Sequence, residues 1–144
     1  MYVSRRAILT SDDDLDHLRD LHTLTFGDTA PMPELDYGAW WLVRPKDATD
    51  PVAFCGVVNS SMGSGIAYMK RAGVLEGHRG KGLQRRMINL RVNWARRQGC
   101  HKIITETHDN TYSSNNLIRA GFELFEPECP WSFKGALYFQ KLLA

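Results

Sequence analysis

Long apolar runs are missing from this 144-residue sequence: no window approaches the ~20 consecutive apolar residues of a membrane span, and Met1 to Arg6 pass straight into polar residues. Neither a spanning segment nor a secretory leader is expected. Cysteine is scarce and poorly placed for pairing. Cys55, Cys100 and Cys129 are odd in number, far apart and outside any C-x-x-C spacing, which argues against a disulfide framework or zinc ribbon and for a reducing, cytoplasmic compartment. Metal-ligand spacing is also lacking. His17 and His22 are five residues apart, His78 and His101 stand alone, and no set of Cys, His and Asp clusters with them, so no metal site is expected. There is no internal repeat or low-complexity tract. A chain of this length buries roughly two-thirds of its unfolded surface, enough for one core, and residues 1–144 are expected to form a single domain.

Acidic residues are unevenly spread. Positions 1–50 hold ten of the sixteen Asp and Glu, whereas positions 70–102 hold ten of the eighteen Lys and Arg and only Glu76 among the acids. The formal net charge of +2 therefore hides an anion-seeking middle. Such a stretch is a solvated helix face, a nucleic-acid footprint or a site for a phosphorylated ligand.

Tyr2 to Leu9 reads as a strand, and Thr10-Ser11-Asp12-Asp13-Asp14 supplies a cap with carboxylates where the helix dipole favours them. A helix follows to about Thr25, with Leu15, Leu18, Leu21 and Leu24 as its apolar stripe. Gly27, Pro31 and Pro33 then make Phe26 to Tyr37 an irregular loop suited to a substrate wall. Trp40–Val43, Val52–Asn59 and Ile66–Val74 read as three strands of an antiparallel meander. Past Gly82 the period changes: Leu83, Met87, Leu90 and Trp94 make one face of a helix closed by Gly99. His101–Thr107 is a further strand, Ser113–Ala120 a short helix, and Phe122–Phe125 and Ala136–Leu142 the last two strands. This order describes an α/β fold, a mixed sheet with helices on its faces.

The run Val74-Leu75-Glu76-Gly77-His78-Arg79-Gly80-Lys81-Gly82-Leu83-Gln84 leads from a strand into the basic helix. Glycines permit a tight turn with N–H groups pointing inward, and the first turn of the helix adds unpaired N–H groups at the positive end of its dipole. Arg79 and Lys81 add full charges at the rim, a fitting arrangement for a diphosphate. Other phosphate loops fit worse: the third glycine of a dinucleotide fingerprint falls at Arg85, and a Walker loop needs Ser or Thr where Gly82 stands.

Arg79-Gly80-Lys81-Gly82-Leu83-Gln84 resembles the acetyl-coenzyme A (acetyl-CoA) loop of the GCN5-related N-acetyltransferase (GNAT) superfamily: Gln or Arg, two residues, Gly, one residue, then Gly or Ala. Arg79 and Gly82 match, and Gln84 departs at the last place. Asn110, Ser113, Leu117, Gly121 and Phe122 are similar to the superfamily's N-x-x-A/S motif that ends in Gly-Phe. The resemblance covers nearly the whole chain and is strongest from Ile66 to Phe125, closest to small single-domain bacterial and phage-borne members. It implies a mostly antiparallel sheet of six to seven strands with a central splayed parallel pair, Ile66–Val74 and His101–Thr107, that holds acetyl-CoA as co-substrate.

The resemblance further implies that Gly80, Lys81, Gly82, Leu83 and Gln84, with Arg79, bind the pyrophosphate, and that Gly73 and Val74 offer backbone groups to the pantetheine arm and thioester oxygen. Asn110 would bind the pantetheine amide, and Leu117 stands where many members carry a tyrosine that protonates the departing thiolate. A base must deprotonate the amine. Glu106 is the first choice, with His108, Asp109 and a water chain as alternatives, and its competing reading is a surface carboxylate paired with an arginine. Ser113 either relays a proton or caps its helix, the simpler job. Trp40 and Trp41 point to opposite faces, one into the core and one toward the acceptor groove. Trp131, in the loop Pro127 to Lys134, is a candidate apolar wall for the acceptor.

The leading expectation is an acetyl-CoA-dependent N-acetyltransferase acting on a small-molecule or protein amine, with a homodimer left open. The acidic N-terminal third favours a cationic acceptor. Two alternatives remain: a non-catalytic CoA-binding sensor or scaffold, kept by Leu117 in place of tyrosine, and a nucleic-acid-binding module on residues 70–102, disfavoured by few aromatics and a small net charge.

Overall fold

The computed structural model describes residues 1–35 and 37–143; Asp36, which falls in the predicted loop, and Ala144 lie outside the described residues. In chain order the elements are β1 (Tyr2–Arg6), α1 (Asp12–Phe26), β2 (Ala39–Pro45), β3 (Ala53–Asn59), β4 (Ile66–Val74), a 3-10 turn (Glu76–His78), α2 (Leu83–Arg97), β5 (Lys102–Thr107), α3 (Thr111–Arg119), β6 (Glu123–Leu124) and β7 (Leu137–Leu142). The expected order of strands and helices is present. Several ends differ for local reasons. β1 stops short of Leu9 because the Ile8 N–H donates to the Asp14 carboxylate at 2.7 Å, while Ile8 O accepts from Ser11 N–H at 2.9 Å and turns the chain.

The sheet has seven strands in the order β1-β2-β3-β4-β5-β7-β6. The β1/β2, β2/β3, β5/β7 and β6/β7 pairs are antiparallel, and β4/β5 is parallel. This is the mixed, mostly antiparallel α/β sheet that the resemblance implied. Among the described residues no helix is long and apolar enough to cross a membrane.

The chain divides into two compact units, Met1–Val58 with Lys70–Met87, and Asn59–Met69 with the chain from Ile88 onward. In the first, Leu18 and Leu21 of α1 bury with Ala7, Leu35, Trp40, Leu42 and Phe54. Leu24 is 69% exposed instead of continuing the stripe. A three-residue spacing falls behind the 3.6-residue turn by about 60° per step, so the inward position passes to His22, four residues after Leu18. Trp40 and Trp41 are both buried, which removes Trp41 from an open acceptor groove; Arg6 covers its ring at 5.4 Å. In the second unit β5 contributes buried Ile103, Ile104, Thr105 and Thr107, β7 contributes Tyr138 and Phe139, and Trp94 of α2 is buried as expected.

Two buried groups make the first unit acid-sensitive. Asp14, 4% exposed, accepts from the Arg5 guanidinium and from Ile8 N–H, and the Arg5 hydrogen bonds hold its pKa down to about 2. Burial, with the nearby Arg71 charge, lowers the His22 pKa. Both groups bind protons more readily when unfolded, so both contribute stability that is lost on acidification: His22 as pH falls below about 6.5, and Asp14 from about pH 4 down to about 2. Arg5 is half-exposed, which discounts its share. Asp14→Asn should cost about 1–2 kcal/mol at pH 7 and flatten the lower limb of stability against pH in urea titrations.

Candidate active site

The glycine-rich turn lies in the first unit. β4 is tied off where Leu75 N–H donates to Val52 O at 2.9 Å, and the 3-10 turn closes through His78 N–H to Leu75 O and Arg79 N–H to Glu76 O. Gly80 and Gly82 have φ of +75° and +80°, a left-handed backbone that side chains with a Cβ rarely adopt. A Cβ placed on either would meet no atom within 4 Å, so the space beside each of these glycines is open. The first backbone bond of α2 runs from Arg86 N–H to Gly82 O at 3.1 Å. Among the described residues no hydrogen bond is donated by the N–H groups of residues 80–85, as expected of a glycine turn running into a helix N-terminus. Its first turn carries no acidic residue.

This cradle of free amides fits a diphosphate. Arg79 and Lys81 are exposed beside it, while Leu83 is buried, so Leu83 has only its N–H to offer a ligand. Arg79 also donates from Nε to Val74 O at 3.1 Å, which fixes its stem and uses one lone pair of a carbonyl expected to meet the cofactor. β1 braces both ends of the turn: the Tyr2 hydroxyl is hydrogen-bonded to His78 Nδ1 at 2.9 Å, and Arg86 Nη1 donates to Ser4 Oγ at 3.1 Å. Alternation of side chains along a strand puts Tyr2 and Ser4 on one face, but their partners over 70 residues away left no local signal.

Gly73 has an internal reason to be glycine. A Cβ there would collide with Thr25 Oγ1 and approach Phe54 Cε1 to 2.8 Å, so close packing from α1 and β3 explains its lack of a side chain.

In the second unit the parallel β4/β5 ladder is registered through three pairs, Ile66 with Lys102, Ala67 with Ile103 and Tyr68 with Ile104. At the next level the contact changes character: Thr105 Oγ1, a side chain, donates to Met69 O at 3.4 Å. β5 continues along β7 to Thr107, and on that stretch stands Glu106. Its half-buried carboxylate accepts from the Tyr68 hydroxyl, at 2.9 Å to Oε2 and closer to Oε1, and from Trp131 Nε1–H at 2.5 Å. No arginine pairs with it among the described residues, so its partners are two neutral donors and not the surface cation considered above.

Trp131 is fixed in turn. Its ring meets Tyr138 edge-on at 4.5 Å and lies 6.2 Å from Phe125, the next residue Ser132 donates its N–H to the Tyr138 hydroxyl at 3.0 Å, and Ser132 Oγ is hydrogen-bonded to His108 Nε2 at 2.9 Å. The predicted apolar wall is thus a hydrogen-bond donor to the candidate base. His108 is committed to Ser132. Asp109, which precedes the α3 cap residue Asn110, has φ of +45°.

Asn110, not Ser113, caps α3: its Oδ1 accepts from Ser113 N–H at 3.0 Å. The half-buried Ser113 hydroxyl is thereby released from capping. Leu117 is buried, Gly121 takes φ of +92° and Phe122 N–H donates to Leu117 O, so the rest of the motif ends and anchors the helix.

A family model described as acetyltransferase (GNAT) family matches residues 13–122. The chain belongs to the GNAT acetyltransferase family. Several solved structures share its fold. A Bacillus subtilis acetyltransferase in complex with CoA has 14% identity and a TM-score of 0.76 with full coverage of both chains. The ribosomal-protein-S18-alanine N-acetyltransferase of Escherichia coli has 12% identity and a TM-score of 0.70 over 97% of this chain and 92% of its own. An acetyltransferase of the family from Staphylococcus aureus has 15% identity and a TM-score of 0.75 over 99% and 100%. No curated protein matches the chain in sequence. As a family member the chain is an N-acetyltransferase with acetyl-CoA as its co-substrate.

Proposed function

We propose that this acetyltransferase moves the acetyl group to a primary amine by direct attack in a ternary complex, on a small molecule or a protein, with Glu106 as general base. The open cradle of amides at residues 80–85 carries the reading on the co-substrate side. Amides of Gly80, Lys81, Gly82, Leu83 and Gln84 hold the pyrophosphate, Arg79 and Lys81 its outer oxygens, Asn110 Nδ2 the pantetheine amide, and the Leu117 side chain lies along the arm. Gly73 and Val74 backbone groups face pantetheine and the thioester oxygen. The neutral amine nitrogen attacks the thioester carbon, the C–S bond breaks, CoA leaves as thiolate, and the proton shed by the nitrogen goes to Glu106.

Glu106 supports this role by its setting. A half-buried carboxylate oriented by two donors is held in one rotamer and reaches its proton without an ordering cost. The buried Leu117, where many relatives carry a tyrosine, favours a second reading, a CoA-binding sensor without turnover. Thiol release from acetyl-CoA separates the two across a panel of polyamines, aminoglycosides, lysine-ended peptides and hydroxylamine. Amine-dependent release supports the enzyme, whereas binding of acetyl-CoA without release from any acceptor supports the sensor.

A further inference from the structure

We infer that Tyr2 and Ser4 of β1 are positioning residues for the co-substrate: they hold the turn at residues 80–85 in its binding shape before the ligand arrives, and so set the affinity for CoA. The inference rests on the reading of that turn as the pyrophosphate cradle. Two observations carry it. Among the described residues, backbone N–H bonds stop at Arg79, which donates to Glu76 O, and resume only at Arg86, which donates to Gly82 O. The amides in between are free for a ligand and, for the same reason, are not fixed by bonds of their own. Contacts from β1 fall just before and just after this stretch. The Tyr2 hydroxyl is hydrogen-bonded to His78 Nδ1 at 2.9 Å, with the two rings edge-on at 5.9 Å, and Arg86 Nη1 donates to Ser4 Oγ at 3.1 Å.

The spacing suits a clamp. Residues two apart on a strand share a face and stand about 7 Å from each other, so Tyr2 and Ser4 restrain the separation of His78 and Arg86 as well as the place of each. β1 has a firm footing of its own. It pairs with β2 from Tyr2 opposite Pro45 to Arg6 opposite Trp41, and Arg5, on its other face, donates to the buried Asp14 carboxylate. Amides left loose would have to be ordered by the ligand, and that lost entropy would be subtracted from its affinity; amides already held in place lose little on binding. Of the two braces the His78 bond is partly buried and the Arg86 bond exposed, so Tyr2 carries the larger share.

The test is calorimetric titration of the full chain with CoA, paired with ¹⁵N relaxation of the amides at 80–84 in the ligand-free protein. Tyr2→Phe, which keeps the ring and removes only the hydroxyl, is expected to weaken CoA binding about fivefold, and the Tyr2→Phe/Ser4→Ala double variant about 10-fold. In the free double variant the order parameters of those amides should fall from the rigid range near about 0.85 toward about 0.6, and CoA should restore them. Val3→Ala separates positioning from support of the fold. Val3 lies between the two braces on the opposite face, so its truncation should lower the melting temperature and leave both the CoA affinity and the order parameters unchanged. A double variant within twofold of wild type for CoA, amides at 80–84 as ordered in it as in wild type, or an equal loss of affinity in Val3→Ala overturns the inference. Should the double variant unfold, Tyr2→Phe alone decides, held to the same twofold limit. CoA binding that Gly82→Val leaves intact defeats the cradle reading instead, and a wild type that does not bind CoA defeats both.

Discussion

Glu106→Gln lowers kcat for an alkylamine acceptor by about 10²- to 10⁴-fold and leaves the affinity for acetyl-CoA unchanged, the expected result of removing a positioned general base. An alkylamine of pKa about 10.4 is less than 0.1% neutral at pH 7, so the ammonium must give up one proton before its nitrogen can attack, and the attacking nitrogen sheds a second, the one that Glu106 takes. Glutamine keeps the size of the side chain, offers no site for that proton, and turns an acceptor flanked by two donors into a group with a donor of its own. Thermal unfolding checks that the effect is chemical: a loss of activity matched by a collapse of stability would return Glu106 to a structural role.

Replacing Gly82 with valine abolishes the stabilisation that acetyl-CoA confers, about 2.7 kcal/mol at 100 times its dissociation constant. The substitution has two effects that can be separated. A β-branched residue at φ of +80° is strained, at a cost of about 1–2 kcal/mol, and its side chain adds bulk beside the amides proposed to hold the pyrophosphate, in space where a Cβ meets no atom within 4 Å. Gly99, at the end of α2, has φ of +79° and the same open surroundings but no place in the turn. Gly99→Val therefore carries comparable strain, and it should lower the melting temperature yet keep the ligand-induced shift. Equal loss of the shift in both variants would mean that strain, not occlusion, is being read.

What the sequence disclosed was whatever lies close together along it. The glycine turn, its basic rim and the helix that follows are a contiguous stretch, so periodicity and turn chemistry were enough to find them. Glu106 was legible as a carboxylate at a strand end. Its partners were not, because Tyr68 and Trp131 lie 38 and 25 residues away and meet it through strand pairing and a proline-flanked loop without periodicity. The α1 stripe misled for a simpler reason: four leucines at intervals of three suggest one face, but helical geometry rotates Leu24 outward and brings His22 in. Gly73 was read as a backbone contact for the ligand, and the neighbours that require its lack of a side chain, Thr25 and Phe54, come from two distant elements. The cap fell to Asn110 and not Ser113 because the helix begins at Thr111, two residues before the expected start, and both residue types are good caps.

The central claim, that the amides between Arg79 and Gln84 take the pyrophosphate, is tested most directly by titrating the ¹⁵N-labelled chain with CoA and following each backbone amide by NMR. The account predicts saturable shifts that are largest at Gly80, Lys81, Gly82, Leu83 and Gln84, and their disappearance in Gly82→Val. Saturable binding that leaves those five amides unmoved would contradict it.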